Sequence, residues 1–261
     1  MKSLLYLINR FLLGRKYLIG HSPKYGVKLK FRTQDGGGRA IYKKGLYEEE
    51  LTSHLVNNLQ ISKGDTILDV GGNIGWYSVV LGKTFSEAKI FTFEPEPDNF
   101  ACLKHNLEIN RIVNVNAVNK GASDKTETKT LFLYKKSNVG RHSMLNINEG
   151  PTMEVKTVRL DDFIQEQKVD IESIKFLKID IEGFEYFAFK GAEKLLKNIP
   201  LILAEFSPGY MRQGGIEPSE LLELLRSHGY SPNVVKDGEL QPIDDEQLLT
   251  RNNNINLFWT K

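Results

Sequence analysis

Residues Thr66 to Tyr77, TILDVGGNIGWY, decide how the rest of this chain is organised. A short apolar run (Ile67, Leu68 and Val70, interrupted by Asp69) ends in the glycines Gly71, Gly72 and Gly75. Near-continuous apolar runs of this length suit a parallel strand buried on both faces. Glycine admits backbone conformations closed to other residues and lets a ligand approach the chain closely. From Ile74 to about Lys83 the placement of Trp76, Val79, Val80 and Lys83 predicts a helix. A strand, a glycine turn and a helix N-terminus together form a site for a nucleotide-like ligand.

About twenty residues on, Lys89 to Pro95, KIFTFEP, reads as a second strand ending on Glu94. In dinucleotide-binding folds a carboxylate at that place accepts hydrogen bonds from ribose hydroxyls. The glycine spacing departs from the pyrophosphate fingerprint G-x-G-x-x-G, and no G-x-x-x-x-G-K-[ST] phosphate loop is present. With these residues the sequence resembles the S-adenosylmethionine (SAM)-dependent methyltransferases, and more narrowly the FkbM-type family. The matching stretches are YEEEL from Tyr47, DVGGNIG from Asp69, FEP from Phe93, KIDIEGFE from Lys178 and LILAEF from Leu201, over about 160 residues in the family's order. The family usually carries Ala where Gly72 stands, a difference of one methyl.

The resemblance implies an α/β, Rossmann-like class I methyltransferase: a mostly parallel seven-stranded sheet with an antiparallel edge strand, behind an N-terminal helix-and-hairpin cap. It implies SAM as cofactor and S-adenosylhomocysteine (SAH) as its product. On this reading Asp69, Gly71, Gly72, Asn73 and Gly75 hold the methionine end and Glu94 the ribose. Tyr47 and Glu48 close over the methionine end, and Ser123 and Asp124, in GASD, lie near the adenine. As bare residues Tyr47 and Glu48 are a helix start with favourable negative charge, and Ser123 and Asp124 fit a polar surface turn equally well.

A chain of 261 residues accommodates one large α/β domain with a small extension, and 40% apolar content supplies a core. A net charge of +2 without a dense basic run gives no argument for nucleic acid. The lone Cys102 has no internal disulfide partner and reads as a packing residue, consistent with a reducing, cytoplasmic setting. The segment MKSLLYLINRFLLGRKYLIG is apolar, but Asn9, Arg10, Arg15 and Lys16 break it short of a membrane span. Nor does it carry the small-residue cleavage site of a signal peptide. Leu4, Leu5, Ile8, Phe11, Leu12 and Arg15 fit one helix face, for packing on the domain or a second subunit, or for lying on a membrane surface.

The expected division is a cap over 1–45 and a methyltransferase domain over 46–261, with a substrate-side insertion at about 129–160. In the cap, Tyr25 to Phe31 alternates as a strand, Asp35 to Gly38 marks a tight turn, and Ile41 and Tyr42 return as a second strand. In the domain, helices are expected at Tyr47–Gln60, Asp98–Asn110, Tyr186–Lys197 and Pro218–His228. Core strands are expected at Asn114–Val118, Ile174–Ile179 and Leu201–Phe206, with Tyr230–Val235 and Ile255–Thr260 completing the sheet. Thr130–Tyr134 and Met153–Leu160 read as paired strands around a long polar loop.

Asp69, Glu94, Asp180 with Glu182, and Glu205 all fall at predicted strand ends, where open α/β sheets bind ligands. Methyl transfer to an alcohol needs alignment and removal of the hydroxyl proton. Asp180 is the candidate base from strand order, Glu182 a holder of substrate or cofactor amine, and both also suit helix capping. His142 is a second candidate base, or an idle loop histidine. No His/Cys spacing points to a metal, and a carboxylate-bound Mg²⁺ near Asp180 stays open. The expected reaction is O-methylation of a sugar hydroxyl in a glycan or glycosylated metabolite. The rival readings are an NAD-linked oxidoreductase and a non-catalytic binding protein of the same fold.

Overall fold

TILDV forms a strand because every one of its side chains is buried, the apolar ones feeding cores on both faces of a sheet. The structure, a computed structural model, describes residues 2–134, 141–147 and 150–261. Its N-terminal part contains α1 (Lys2–Leu7), which continues as a π-helical turn over Ile8–Leu12, then β1 (Tyr17–Ser22), β2 (Val27–Arg32) and α2 (Gly36–Lys44). The central alternation runs α3 (Glu49–Asn58), β3 (Thr66–Val70), α4 (Trp76–Thr84), β4 (Lys89–Phe93), α5 (Pro97–Ile109) and β5 (Val115–Val118). A small three-stranded sheet follows from β6 (Gly121–Ala122), β7 (Thr128–Phe132) and β8 (Thr152–Val158), then α6 (Leu160–Glu166). The chain ends with β9 (Ile174–Ile179), α7 (Glu185–Lys190), β10 (Leu201–Phe206), α8 (Pro208–Gln213), α9 (Pro218–Ser227), β11 (Ser231–Lys236), β12 (Glu239–Pro242), α10 (Asp245–Leu249) and β13 (Ile255–Thr260).

The main sheet has the order β12-β11-β13-β10-β9-β3-β4-β5. Its five strands from β10 to β5 are parallel, and β13 runs antiparallel to both β10 and β11. The expected sheet is corrected in its strand count. It has eight strands rather than seven, because Asp237 and Gly238, both at positive φ, turn the chain back into β12. Two such residues between paired strands are the signature of a type I′ hairpin. The expected antiparallel edge strand is β12, paired antiparallel with β11, and β13 is a second antiparallel strand inserted between β10 and β11, where its Leu257, Phe258 and Trp259 are buried.

The N-terminal hairpin exists, but its second strand precedes the predicted one: β1 pairs with β2 from Tyr17↔Arg32 to Ser22↔Val27. Asp35 to Gly38 is a helix start instead of a hairpin turn. Asp35 Oδ1 accepts the Gly37 N–H at 2.9 Å, the N-cap arrangement, and Ile41 is buried as part of α2 rather than a strand. The β7–β8 pair appears in the expected place, from Thr128↔Lys156 to Phe132↔Thr152. Of the loop between them, residues 135–140 and 148–149 lie outside the described residues. Among the described residues no helix is long and apolar enough to cross a membrane.

The turn after β3 has no room for a methyl at Gly72. A Cβ there would sit 2.2 Å from Thr92 Oγ1 and 2.8 Å from Leu103 Cδ1. Thr92 is fully buried and has no room to retreat. The substitution Gly72→Ala is therefore expected to destabilise the fold by about 1–3 kcal/mol through overpacking. Adding Thr92→Ala should recover part of that loss, so the double variant will be less unstable than the two single effects summed, in denaturant titrations of all three.

Candidate active site

A cavity of about 320 Å³ opens at the carboxyl ends of β3, β4, β9 and β10, roofed by α2 and by the segment carrying Arg141, His142 and Met144. Gly71, at φ +81°, brings the turn after β3 so close to β9 that a Cβ would meet Asp180 O at 1.9 Å. The turn spends its N–H groups internally: Gly71 and Gly72 both donate to Phe93 O, Asn73 to Glu94 Oε2 at 2.8 Å, and Gly75 to Gly72 O. Those donors are no longer free to cradle a pyrophosphate, which is the physical content of the departed glycine spacing.

The wall is acidic. Asp35, Glu48, Glu94, Asp180, Glu182 and Glu205 line it, against the cations Lys178 and Arg141. Such a field favours a cationic ligand over an anionic one. Glu94 is buried, with Oε2 accepting from Asn73 N and Oε1 from Glu96 N. Burial nevertheless pushes its carboxyl up to about 7. Asp180, Glu182 and Glu205 bring carboxylate oxygens within 4.8 Å of one another, the one group of described residues close enough to share a metal ion. Burial, with Glu205 and Asp180 beside it, pushes Glu182 up to about 10. Burial and Asp180 raise Glu205 to about 7, although Ser207 Oγ and Asn254 Nδ2 donate to it.

Lys178 ties this corner together. Its Nζ lies 3.5 Å from Asp180 Oδ2, 3.7 Å from Asp69 Oδ1 and 3.4 Å from Gly71 O. Burial works against its charge, but Asp180, Asp69 and Glu48 outweigh that and raise its pKa. Arg141 is exposed and only partly desolvated, and the fields of Glu182, Tyr210 and Glu205 more than offset that cost and raise its pKa. His142 Nδ1 accepts the Tyr134 N–H at 3.1 Å, which assigns the ring proton to Nε2. Burial lowers its pKa to about 4, so near neutral pH the ring is an uncharged donor.

Of the residues singled out in the sequence, Tyr47, Glu48, Gly71, Gly72, Asn73, Glu94, His142, Asp180 and Glu182 line the cavity. Asp69, Gly75, Ser123 and Asp124 do not. Asp69 lies beneath the floor, where Oδ2 accepts from Ser78 Oγ at 2.6 Å and Oδ1 faces Lys178. Gly75 is the left-handed residue that starts α4 and faces Leu103. Ser123 is drawn into the core, because its N–H continues the β6–β8 pairing to Val158 O, and its hydroxyl turns to Asp124. Gly121 and Ala122 form the wall there instead. Lys178 and Asp35 carried no site reading. The lysine stood inside a quoted motif, and the DGGG that follows Gln34 reads as a turn until α2 is folded.

Residues 69–232 match the model of the methyltransferase FkbM domain, well over half of the chain. The chain belongs to the FkbM methyltransferase family. Among relatives, it is 25% identical over 239 residues to methyltransferase sdnD of Sordaria araneosa, covering 78% of this chain and 88% of that one. It is 26% identical over 238 residues to the 31-O-demethyl-FK506 methyltransferase FkbM of Streptomyces tacrolimicus, covering 79% and 88%. Hexuronic acid methyltransferase AglP of Haloferax volcanii is 23% identical over 177 residues, 68% of each chain. Family membership makes the chain a methyltransferase with SAM as donor. The cavity fits that donor: besides its acidic lining it holds Asn73 Oδ1, a buried acceptor with no protein partner.

Glu94 and Glu205 also make stability pH-dependent. Both carboxyls have a folded pKa of about 7, raised from 4.5. The stability they contribute is complete below about pH 4.5 and is lost as pH rises through about 7. Denaturation of the ligand-free enzyme across this range should show falling stability. Glu94→Gln should reduce the protons linked to unfolding by about one. A slope unchanged by that substitution would contradict the burial of an ionisable group there.

Proposed function

We propose that this enzyme transfers the methyl group of SAM to a hydroxyl oxygen of a sugar, in a glycan or a glycosylated metabolite, and that Asp180 accepts the hydroxyl proton. The observation that carries this reading is the place of Asp180 on the cavity wall just after β9, with its Oδ2 3.5 Å from Lys178 Nζ. Glu182 and Glu205 are pushed toward their neutral forms and His142 is a neutral Nε2–H donor. Asp180 shares this corner with Glu182 and Glu205, their carboxylate oxygens within 4.8 Å of one another, and is the proton acceptor we assign there. Two relatives are named for a hexuronic acid and for an O-methylation, which supports the oxygen acceptor and the sugar.

SAM supplies an electrophilic methyl on a sulfonium cation. The chain's part is to bind and orient it: Glu94 accepts the ribose hydroxyls, Asn73 Oδ1 takes the ammonium group, and Tyr47 with Glu48 covers the methionine end. Asp69 acts at one remove, by holding Lys178. His142 donates to an acceptor oxygen next to the reacting one, and Glu182 positions the sugar. We read residues 1–45 as a cap and 46–261 as the catalytic domain, with 129–160 as the acceptor-side insertion. The cap contributes Asp35, Gly36, Gly37 and Ile41 to the cavity, and the insertion Arg141, His142 and Met144. A cytoplasmic setting suits the single buried thiol of Cys102.

Two substitutions separate binding from chemistry. Glu94→Ala should weaken SAH at least about tenfold in calorimetric titration, through lost charge-assisted hydrogen bonds. Asp180→Asn should keep SAH affinity within a few-fold while slowing methyl transfer to hexose- and uronate-terminated glycans by about 10²–10⁴. Near-normal turnover in Asp180→Asn would remove it as the base. Tight NAD binding with no SAH binding would overturn the cofactor assignment.

A further inference from the structure

Eight of the nine large apolar side chains exposed among the described residues fall between Leu4 and Ile19; the ninth is Val113. Phe11, Leu12 and Leu13 stand 67%, 78% and 58% exposed in succession. Scattered surface apolar residues need no account, but a contiguous group of this size marks an interaction site. The segment is not loose. Tyr6 is buried, its hydroxyl donates to Thr33 O, and the Lys43 ammonium lies over its ring at 5.2 Å. The helix is thus fixed to the body by Tyr6, and Leu4, Leu5 and Leu7 around it face solvent.

Charge is partitioned in the same place. Residues 1–34 contain eight Lys and Arg and no Asp or Glu. Residues 1–47 carry eleven basic residues and one acid, a net +10, whereas the remaining chain carries 24 basic and 32 acidic residues, a net −8. The overall +2 hides this division. A cleft of about 510 Å³ beside the apolar group is lined by Arg10, Arg15, Lys16 and Arg32. Arg32 is committed to Glu96 and Asp98 at 2.9 and 3.2 Å. Among the described residues no carboxylate pairs with Arg10, Arg15 or Lys16.

We infer that residues 2–19 dock the enzyme on the surface of an anionic phospholipid bilayer. The apolar side chains enter the boundary between headgroups and acyl chains, and Arg10, Arg15 and Lys16 meet the phosphates, their stems lying along the apolar surface. A nucleic acid would use the cations and leave the leucines and Phe11 in water. The helix and its π-helical turn together run only from Lys2 to Leu12, long enough to lie on a bilayer and too short to cross one. The docking segment packs on α2, whose first residues Gly36 and Gly37 line the cavity. The inference does not depend on which acceptor is methylated.

Flotation of the full chain with phosphatidylcholine vesicles, with and without about 30% phosphatidylglycerol, tests this. The expected result is partitioning onto the anionic vesicles alone, weakened at high salt as screened charges require. Phe11→Glu with Leu12→Glu should abolish it. Arg15→Gln with Lys16→Gln should weaken it roughly tenfold or more, since each cation near a charged surface contributes severalfold. Both variants should keep wild-type SAH affinity and Tm, because these side chains are exposed and lie outside the cavity. No partitioning of the wild type, or partitioning that survives Phe11→Glu with Leu12→Glu, would overturn the inference. So would light scattering that shows a dimer dissolved by those substitutions without any vesicle binding, which would assign the face to a second copy.

Discussion

The site rests on one buried polar row. Thr92 on β4, Asp69 on β3 and Lys178 on β9 are register partners across three parallel strands, flanked by buried apolar side chains of the same strands. An ammonium group buried without a partner costs several kcal/mol, and even a paired one offsets that cost only with good geometry. Lys178 finds Asp69, Asp180 and the Gly71 carbonyl, so its charge is met from the floor, the wall and the turn at once. The row fixes the ends of β3 and β9 relative to each other, and those ends carry the glycine turn and Asp180. Ser78 from α4 closes the arrangement by donating to Asp69, which ties the following helix to the same point.

Above that row the cavity concentrates like charge. Six carboxyl groups line it, and the one least able to shed its proton is Glu182, pressed by burial and by Glu205 and Asp180 beside it. Of the six non-glycine residues at positive φ among the described residues, three, Glu48, Asn73 and Glu182, lie on its wall. Each costs conformational energy that the surrounding structure must offset, and such residues gather where a side chain has to be aimed rather than merely accommodated. Crowded acids and strained backbone make a site that gains from a cationic ligand. SAM carries that charge, and NAD does not.

The N-terminal region has two separate tasks in the structure. Its inner face, through Asp35, Gly36, Gly37 and Ile41, completes the cavity. Its outer face gathers exposed apolar residues and most of the uncompensated positive charge. A net charge near zero therefore says little about this surface, because the basic and acidic residues are segregated along the chain.

Much of the catalytic fold was legible from sequence because it rests on local signals. Apolar runs of five or six residues, a Gly-rich turn and carboxylates at strand ends read directly as a parallel sheet with a ligand edge, and Glu94, Asp180 and Glu182 are where that reading puts them. The hairpin that adds β12 also has a local signal, Asp237-Gly238, which the seven-strand expectation passed over. What tertiary structure alone decided depends on partners distant in the chain. Asp69 belongs under the floor because Lys178, over a hundred residues away, claims it. Asp161 accepts from the N–H groups of Lys194 and Leu195, far along the chain. DGGG starts a helix because Asp35 caps it and Ile41 finds a core. Sequence pattern records which residues prefer burial or a turn, whereas the pairing of a buried charge is settled only by what the folded chain places within a few ångströms of it.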